Sequence, residues 1–461
     1  MNTLFNVRFN WGFYVVTAVA IYWLFPDMSW FSYFALLITL HQFLLLFHSI
    51  GYVIPYRYLF GAFMCLHMLL GPAMAYYGLD KYQGAKERMQ LPEAEYFSYV
   101  IPAVISFILG LHFRSNNLQG EVLNTEKIKA YVSQKKDLPF ILIAIGFISS
   151  FSSDFFSAEL AFVFYLLSSF KFIGVFLLII GKVQLKILPL SLVYGSVILS
   201  SINEGMFHDV LIWLIFLGAV LAIRYKPSVS FKAICAISFI LLSISIQLLK
   251  GNYREATWEK GEEAGVGTLT KAYEESQSSN KFFSSTSLAQ SNLRVNQGYI
   301  ITHIMKLVPN SVPYAQGSEL FDILQSAILP RFLAPNKLKA GSREIFIKYT
   351  RIPLKEGTSM ALSSIGDAYI NFGITGGCIF MFLLGLLFNE LLKKFQQYSI
   401  NYPLLIIFSP IVFFFPIRPD CELQTILGHL FKSCFLIYLI FNLWKKDFKI
   451  NLYPFWKRFI S

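Results

Sequence analysis

The chain has 461 residues, of which 55% are hydrophobic, 17% aromatic and only 14% charged, and its mean hydropathy is +0.54. Soluble domains carry about 25% charged residues, so this composition excludes an ordinary soluble enzyme. A net charge of +12 would suggest a nucleic-acid partner in a soluble protein, but the cationic bias of cytoplasmic loops explains much of it here. We therefore expect membrane lipids, and no nucleic acid, as partners.

Runs of about 20 apolar residues predict helices that span a membrane, and twelve such runs occur along the chain. Ten-residue alternation, typical of membrane barrels, is not visible. The first run has no small-residue cleavage site, so we expect a retained span rather than a signal peptide. The predicted spans lie near 8–25, 30–51, 57–78, 95–113, 139–156, 158–180, 187–202, 207–224, 231–249, 372–392, 402–416 and 424–444.

These runs predict an all-α polytopic membrane protein in four parts. Residues 1–250 carry spans one to nine, and residues 251–371 form one long polar loop region. Residues 372–444 carry spans ten to twelve, and residues 445–461 form a basic tail. The sequence shows no internal repeat, which weakens the case for a secondary transporter.

The loop charges predict the orientation. With the N-terminus in the cytoplasm, nineteen Lys and Arg residues fall on the cytoplasmic side, and only four lie in the short loops opposite: Lys81, Lys86, Arg88 and Arg418. Cytoplasmic loops carry such an excess of cations. We therefore expect both termini to be cytoplasmic and the 251–371 loop to be extracytoplasmic.

The five cysteines and the acidic residues predict no metal or cofactor. Four cysteines lie in apolar runs and Cys421 is alone in a short loop, so neither a disulfide framework nor metal spacing is present. An Asp-rich metal motif is also missing from the sequence.

The long loop has two parts of different composition. Residues 251–280 are rich in glutamate and predict irregular structure, whereas residues 281–357 contain ten Lys or Arg and four Asp or Glu. Two short helices are predicted in the basic part: Gln297–Val308, stopped by Pro309, and Ser318–Leu329, capped by Ser318 and stopped by Pro330. Both could lie in the membrane interface or pack on the spans.

Four arginines of this loop suggest a site for phosphate. A guanidinium group is always charged and can bind phosphate oxygens in a bidentate manner. Solvated loop charges are the alternative for any one of them, but the orientation gives no reason for a cationic loop outside the cell. The four are Arg294, Arg331, Arg343 and Arg351.

Three further segments place polar residues beside predicted spans. Prolines stiffen the segment 328–337, which presents Arg331 and Lys337. The glycine-rich segment 366–377 carries Asp367, Tyr369 and Asn371 at the start of the tenth span. Arg418 lies between Pro416 and Pro419, where it either grips a diphosphate or forms a surface pair with Asp420 or Glu422.

Taken together, residues 290–390 resemble the large outer loop of bacterial oligosaccharide repeat-unit polymerases, the Wzy-type polymerases of O-antigen and exopolysaccharide. The resemblance is carried by Arg294 with Gln297-Gly298, by Pro313 to Gly317, by the segment from Leu329 to Lys337, by Thr358-Ser359-Met360, and by the segment from Gly366 to Gly373. Elsewhere it extends only to hydropathy.

The resemblance implies a GT-C-like membrane glycosyltransferase of the bacterial cytoplasmic membrane. Such an enzyme joins repeat units carried on polyprenyl (undecaprenyl) diphosphate at the outer face, and a chain-length regulator is a further candidate partner. Loop arginines would contact the diphosphates, with Arg331, Arg418, Arg294, Asp367 and His303 as catalytic candidates. Substrate contacts would come from Lys337, Arg343, Arg351, Tyr369 and Asn371.

The chain departs from the family pattern of an arginine followed, after ten residues, by a glycine in two outer loops. The position eleven on from Arg294 is Met305, and that from Arg331 is Ser342. The middle outer loops, near Phe155 and Asn203, contain no arginine. The scheme of two arginine loops is therefore in doubt for this chain.

The general base and two alternative functions stay open at the level of sequence. A base for the acceptor hydroxyl would help, and none is singled out by spacing. The candidates are His303, Asp322, Asp367, Glu204, Asp209, Asp420 and Glu422. An O-antigen ligase would typically show a His-Asn pair, which does not occur here, and a flippase would mark its path with charges in spans, of which Lys171 and Lys432 are the lysines.

Overall fold

The computed structural model describes most of the chain and confirms the all-helical prediction. The described residues are 9–115, 121–152, 155–156, 158–181, 187–254, 256–257, 261–278, 284–329, 337–338, 341–355 and 358–443. They form no strand, only one bridge between Ile50 and Val53. Nine of the described helices or helix pairs are long and apolar enough to cross a membrane.

The first half of the chain follows the predicted spans closely. Two of its helices, α1 and α7, are apolar but shorter than the nine candidate spans. The helices are α1 (Trp11–Leu24), α2 (Trp30–Ser49), α3 (Tyr56–Cys65), α4 (Gly71–Tyr76), α5 (Glu93–His112), α6 (Thr125–Gln134), α7 (Leu138–Ser152), α8 (Ala158–Ser168), α9 (Phe170–Ile180), α10 (Ile187–Glu204), α11 (His208–Tyr225) and α12 (Val229–Arg254).

The third span is one helix with a local widening. A π-helical turn, Leu66–Leu70, joins α3 to α4, so that the whole span runs over Tyr56–Tyr76. Such π-turns are frequent at functional sites because they re-aim side chains within a helix. The turn carries His67, whose surroundings are described below.

The 251–280 segment is more ordered than its composition predicts. Helix α12 continues to Arg254, and α13 (Val266–Ser278) follows after a short interval. Tyr253 donates a hydrogen bond from its hydroxyl to the Ile202 carbonyl at 2.7 Å, which holds the end of α12 against α10. The prediction of a wholly irregular segment was wrong, because tertiary contacts stabilise helices that their polar sequence does not.

The basic part of the loop contains four helices rather than two. They are α14 (Ser285–Val295), α15 (Gly298–Leu307), α16 (Ser318–Ile328) and α17 (Arg343–Thr350). The two predicted helices are confirmed as α15 and α16, each shorter by a residue or two than expected. Ser318 is not the cap of α16, since the residue before the first helical position is Gly317, with φ 93°.

The helix that contains the predicted tenth span begins before it. Helix α18 (Ser363–Ser399) includes the segment we placed in the loop, and it bends at Gly373, where φ is 65° and ψ is −157°. A positive φ of this kind favours glycine. Asp367, Tyr369 and Asn371 therefore lie on a helix rather than in an irregular loop, and the break at Gly373 falls beside the predicted start of the tenth span at residue 372.

The predicted eleventh span contains only a short helix. Helix α19 (Leu405–Phe413) has nine residues, all buried, with Pro410 inside it, and turns continue the chain to α20 (Leu423–Leu443). At about 1.5 Å per residue, nine residues reach about 14 Å, which is half of a bilayer core. The turns between α19 and α20 carry Arg418.

Helices α5 and α18 cross at two glycines and form the centre of the bundle. A Cβ placed on Gly110 would collide with the Phe382 carbonyl oxygen, and one placed on Gly385 would collide with the Phe107 carbonyl oxygen. Small residues allow such close backbone approach between membrane helices. This crossing fixes the framework on which the remaining helices pack.

Candidate functional site

The site is built around Arg418, in the turn between α19 and α20. The Arg418 side chain is only 13% exposed. Its Nη2 lies 3.7 Å from Asp420 Oδ2 and its Nη1 lies 3.9 Å from Asp209 Oδ1. The guanidinium carbon lies 5.3 Å from the centre of the Phe415 ring. Arg418 thus forms the ion pair with Asp420 that the sequence offered as the alternative, but the pair is enclosed rather than exposed at the surface.

The hydrogen-bonding capacity of Arg418 is not used up by these contacts. Its buried Nε has no hydrogen-bond partner, and both ion-pair distances exceed the 2.7–2.9 Å of a direct charge-assisted hydrogen bond. Burial by itself would lower the pKa of Arg418, but the acidic groups of Cys421, Asp420 and Asp209 raise it above its ordinary value. The guanidinium is therefore a permanent cation with donors left over for a ligand.

Three more cations converge on the same place from other elements. Lys250, at the end of α12, is 6% exposed and has Arg254, Arg294 and Arg418 among the charges that act on it. Its own pairing is limited, since it has no ion pair with any described residue. Lys250 and Arg254 are four residues apart and share one face of α12.

Arg254 and Arg294 lie at the ends of α12 and α14. The Arg254 Nε donates a hydrogen bond to the Gly205 carbonyl at 3.0 Å. Burial, together with the charge of Arg294, lowers the pKa of Arg254 to about 10. Arg294 is exposed at the end of α14, so it forms the rim of the group.

Two histidines and several carboxylates complete the cluster. His67, on the π-helical turn, and His208, at the start of α11, both lie within electrostatic range of Arg418 and Asp420. Burial would raise the pKa of Asp420, but Arg418, His67 and His208 lower it to about 2. Asp420 is therefore a carboxylate at all physiological pH values.

We call this group of side chains the cationic cluster. It consists of Arg418, Lys250, Arg254 and Arg294, the histidines His67 and His208, and the carboxylates Asp209 and Asp420, with Glu204 near Asp209. Three arginines and Lys250 face these three carboxylates, and the arginines are permanent cations. An enclosed guanidinium with an unused donor, as at Arg418, suits a phosphate or diphosphate group.

The other arginines that the sequence singled out do not join this cluster in the structure. Arg331 lies outside the described residues. Arg343 begins α17 and donates from Nε to the Leu354 carbonyl at 2.9 Å. Arg351 is exposed just after α17, with φ 58°. Of the predicted arginines that the structure describes, Arg294 and Arg418 belong to the cationic cluster. Arg343 and Arg351 do not.

His303 has a structural environment. Its Nε2 lies 3.1 Å from the Lys86 carbonyl, to which it donates, and this contact ties α15 to the loop between α4 and α5. Burial lowers the pKa of His303, and hydrogen bonds with the Lys86 and Thr350 backbone act in the opposite direction. Such contacts fit the packing role that the sequence left open for this residue.

Asn371 and Asp367 hold the ends of neighbouring helices. The Asn371 Oδ1 accepts a hydrogen bond from the Leu320 backbone N–H at 3.2 Å, in the first turn of α16. Asp367 accepts one from the Leu423 backbone N–H, at the start of α20. Each side chain satisfies an N–H that a helix leaves unpaired at its beginning.

Tyr369 and Lys337 also support local structure. The Tyr369 hydroxyl donates to the Val308 carbonyl at 3.3 Å, and its ring packs beside Tyr99 and Tyr314. The Lys337 Nζ donates to the Leu329 carbonyl at 2.7 Å, where the cation binds the end of α16. Both residues thus have roles in holding the loop region together.

Sequence reasoning missed Lys250, Arg254, His67 and His208. A signal was present for two of them, because cations four residues apart at the end of an apolar run share a helix face. His67 stood within a predicted span, where an ionisable side chain is by default a functional candidate. Among the described residues, no group of three or more His, Cys, Asp or Glu side chains is arranged to hold a metal ion.

Comparison with known proteins gives one match. The model of a family described as a domain of unknown function, DUF8712, matches residues 53–450. No curated protein and no solved structure matches the chain.

Proposed function

We propose that this chain, which belongs to the DUF8712 family, polymerises oligosaccharide repeat units carried on polyprenyl diphosphate. Because the family is described as one of unknown function, the proposal is argued from the site. The observation that carries the proposal is the enclosed Arg418, whose Nε has no hydrogen-bond partner, with three further basic side chains within electrostatic range of this group. The resemblance of residues 290–390 to Wzy-type polymerases supports the same substrate class. The reaction would take place at the outer face of the bacterial cytoplasmic membrane, in a GT-C-like fold.

The reaction requires mainly that the protein position the two substrates and stabilise the charge of the leaving diphosphate. The bond from the donor sugar's anomeric carbon to the diphosphate breaks, the acceptor hydroxyl oxygen forms the new bond, and the lipid diphosphate leaves with the electron pair. Arg418, Lys250 and Arg254 would stabilise the negative charge that develops on this leaving group.

A carboxylate of the cluster would take the proton of the acceptor hydroxyl. Asp420, whose pKa is lowered to about 2, is a weak base. That leaves Glu204 and Asp209, and Asp209, at the start of α11, is the better candidate because it faces Arg418 directly. In this proposal, His303 and Asp367 are no longer catalytic candidates, because their contacts hold other elements in place.

The direct test is polymer synthesis in vesicles that contain the purified protein and lipid-linked repeat units. We expect Arg418→Lys and Arg418→Ala to lose long polymer and leave single repeat units, because a lysine keeps the charge without the bidentate geometry. Lys271→Ala is the matched control, since Lys271 is a cation of the same loop region that is 71% exposed. Polymer of ordinary length and amount from Arg418→Ala would contradict the proposal.

The same vesicles separate the alternatives. A polymerase lengthens the lipid-linked glycan without any other acceptor. A ligase leaves the glycan length unchanged until its own acceptor is added, and a flippase moves the lipid across the bilayer without lengthening the glycan.

The proposed orientation is tested by labelling introduced cysteines in intact cells with a maleimide that does not cross the membrane. In a background without native cysteines, we expect Thr270→Cys in α13 to react and Ser133→Cys in α6 to be protected, because the loop cations place these segments on opposite sides. Both positions are exposed in the structure. The reverse pattern would put the cationic cluster at the wrong membrane face for polymer export.

A further inference from the structure

A polar cavity lies beside the end of the span that carries His67, away from the cationic cluster. It has a volume of about 290 Å³ and is lined by the turn between α1 and α2, the end of α4 and the start of α5. Its size is near the lower limit, roughly 300 Å³, of pockets that take small-molecule ligands. The lining residues are Asp27, Met28, Ser29, Ser32, Tyr76, Tyr77 and Glu93.

Glu93 is held rigidly and keeps one oxygen unused. Its Oε1 accepts hydrogen bonds from the hydroxyls of Ser29 and Ser32 and, at 3.1 Å, from the Ser32 backbone N–H. Its Oε2 has no partner among the described residues. A carboxylate oxygen accepts hydrogen bonds only, so a ligand here must bring donors.

Asp27 and the tyrosines define the ligand further. Asp27 has no hydrogen bond or ion pair with any described residue, and the lining contains no Lys or Arg. Two carboxylates without a cation repel phosphate. Tyr76 is fixed by its hydroxyl, which donates to the Leu91 carbonyl at 2.9 Å, and Tyr77 packs edge-on against Phe25. Fixed aromatic rings beside acceptor oxygens suit a neutral molecule with both hydroxyl groups and apolar faces.

The cavity lies where a glycan could reach if its diphosphate were bound in the cationic cluster. His67 lies near Arg418 and Asp420, whereas Tyr77 follows ten residues later at the end of the same span. At about 1.5 Å per residue, the cavity lies about 15 Å further along the helix axis. A glycan whose diphosphate occupies the cluster would extend toward it.

We infer that this cavity is a saccharide subsite, in which Asp27 and Glu93 accept hydrogen bonds from sugar hydroxyls and Tyr76 and Tyr77 contact the ring. The saccharide class rests on the proposed function, and the residues of the subsite are separate from those of the cationic cluster. The subsite would hold a sugar of the lipid-linked glycan and contribute to the choice of repeat unit.

The test is saturation-transfer NMR on the full-length protein in a detergent without a sugar head group. The probes are glucose, galactose, rhamnose and N-acetylglucosamine, each added separately. We expect at least one to bind, and Asp27→Asn to weaken its binding about tenfold, as expected for a lost hydrogen bond to a charged group. Asp137→Asn, which changes an exposed carboxylate just before α7, should bind as the original chain does.

Folding and the second site are monitored on the same samples. Asp27 has no partner to lose, so Asp27→Asn should keep the heat stability of the original chain, and Tyr77→Leu provides a second, uncharged change in the cavity. Binding of inorganic pyrophosphate reports the cationic cluster and should be unchanged by Asp27→Asn. Loss of pyrophosphate binding in Arg418→Ala is a separate result, so the two proposals can fail independently.

Three outcomes would overturn the saccharide subsite. They are the absence of binding by all four sugars, equal sugar binding by Asp27→Asn and the original chain, and calcium binding that depends on Asp27 while no sugar binds. The last would identify the cavity as a cation site.

Discussion

Two arginines, Arg57 and Arg418, lie at or beside the span Tyr56–Tyr76, and the protein uses their side chains differently. Arg57, at the start of α3, is fully buried and lies 2.6 Å from Glu121 Oε2. It also donates to the Leu111 carbonyl at 3.0 Å and to Asn389 Oδ1 at 2.9 Å. Arg418 is enclosed too, but its ion pairs are 3.7 and 3.9 Å long and its Nε has no hydrogen-bond partner.

The difference lies in how many donors are satisfied. Arg57 joins the start of α3, the end of α5 and α18, and Glu121 accepts hydrogen bonds from both its backbone and its side chain. Arg418 instead lies among like charges with too few acceptors. A satisfied buried pair holds structure, whereas a buried donor without a partner, such as the Arg418 Nε, is available to a ligand. Arg57 is one of the nineteen cations that the sequence assigned to the cytoplasmic side, and the structure shows it buried and paired rather than in a solvated loop.

The largest expected effect comes from breaking the Arg57 pair. Arg57→Ala leaves a buried, unpaired carboxylate on Glu121 and should destabilise the fold by about 3–5 kcal/mol. Arg57→Met combined with Glu121→Met should cost much less, because no charge is left without a partner. The measurement is the fraction of protein that survives heating in detergent, followed by gel filtration. Arg418→Met should reduce the fraction that survives heating by less than Arg57→Ala does. Equal losses of heat stability in these two variants would contradict the contrast between the two arginines.

A smaller effect is expected from pH, through Asp420. Its pKa in the folded protein, about 2, lies below the unfolded value of about 3.9, so its stabilising contribution is present above pH 4 and is lost as the pH falls toward 2. The contribution is on the order of 2 kcal/mol. Asp420→Asn should therefore flatten the stability profile between about pH 4 and pH 2. An unchanged profile in that variant would show that Arg418 does not hold the carboxylate in its charged form.

The smallest expected loss of stability comes from Asn371, and it tests whether this residue supports the fold or binds the substrate. Asn371→Ala removes the hydrogen bond to the first turn of α16 and should cost about 1 kcal/mol in heat stability, as helix caps do. Polymer synthesis and pyrophosphate binding should persist at temperatures where the variant is folded. A loss of pyrophosphate binding comparable to that of Arg418→Ala would return Asn371 to the substrate site.

Much of the architecture could be predicted from the sequence because apolar runs respond directly to the membrane. Long segments such as α2 and α5 were placed within a few residues, since length and hydropathy decide them. The helices α15 and α16 were found from their apolar spacing and their terminal prolines. The cap of α16 could not be found in this way, because it comes from Asn371, 51 residues away.

The candidate site was only partly predictable, because it too depends on contacts between residues that are far apart in the chain. Arg418 stood out because an arginine in a short loop opposite the cationic side needs an explanation. Nothing local in the sequence says that Lys250, at the end of a span, would meet Arg294, at the end of a loop helix. That meeting depends on how α12 and α14 pack, which is a property of the whole bundle.

The sequence by itself determined the membrane class, the helical architecture, the approximate spans and the presence of a long basic loop, because each depends on composition and periodicity within one segment. The tertiary structure decided which cations meet, which ones are paired and which helix ends are capped from a distance. Electrostatic energy depends on distance and burial, and side chains up to several hundred residues apart in the chain reach contact only in the packed bundle.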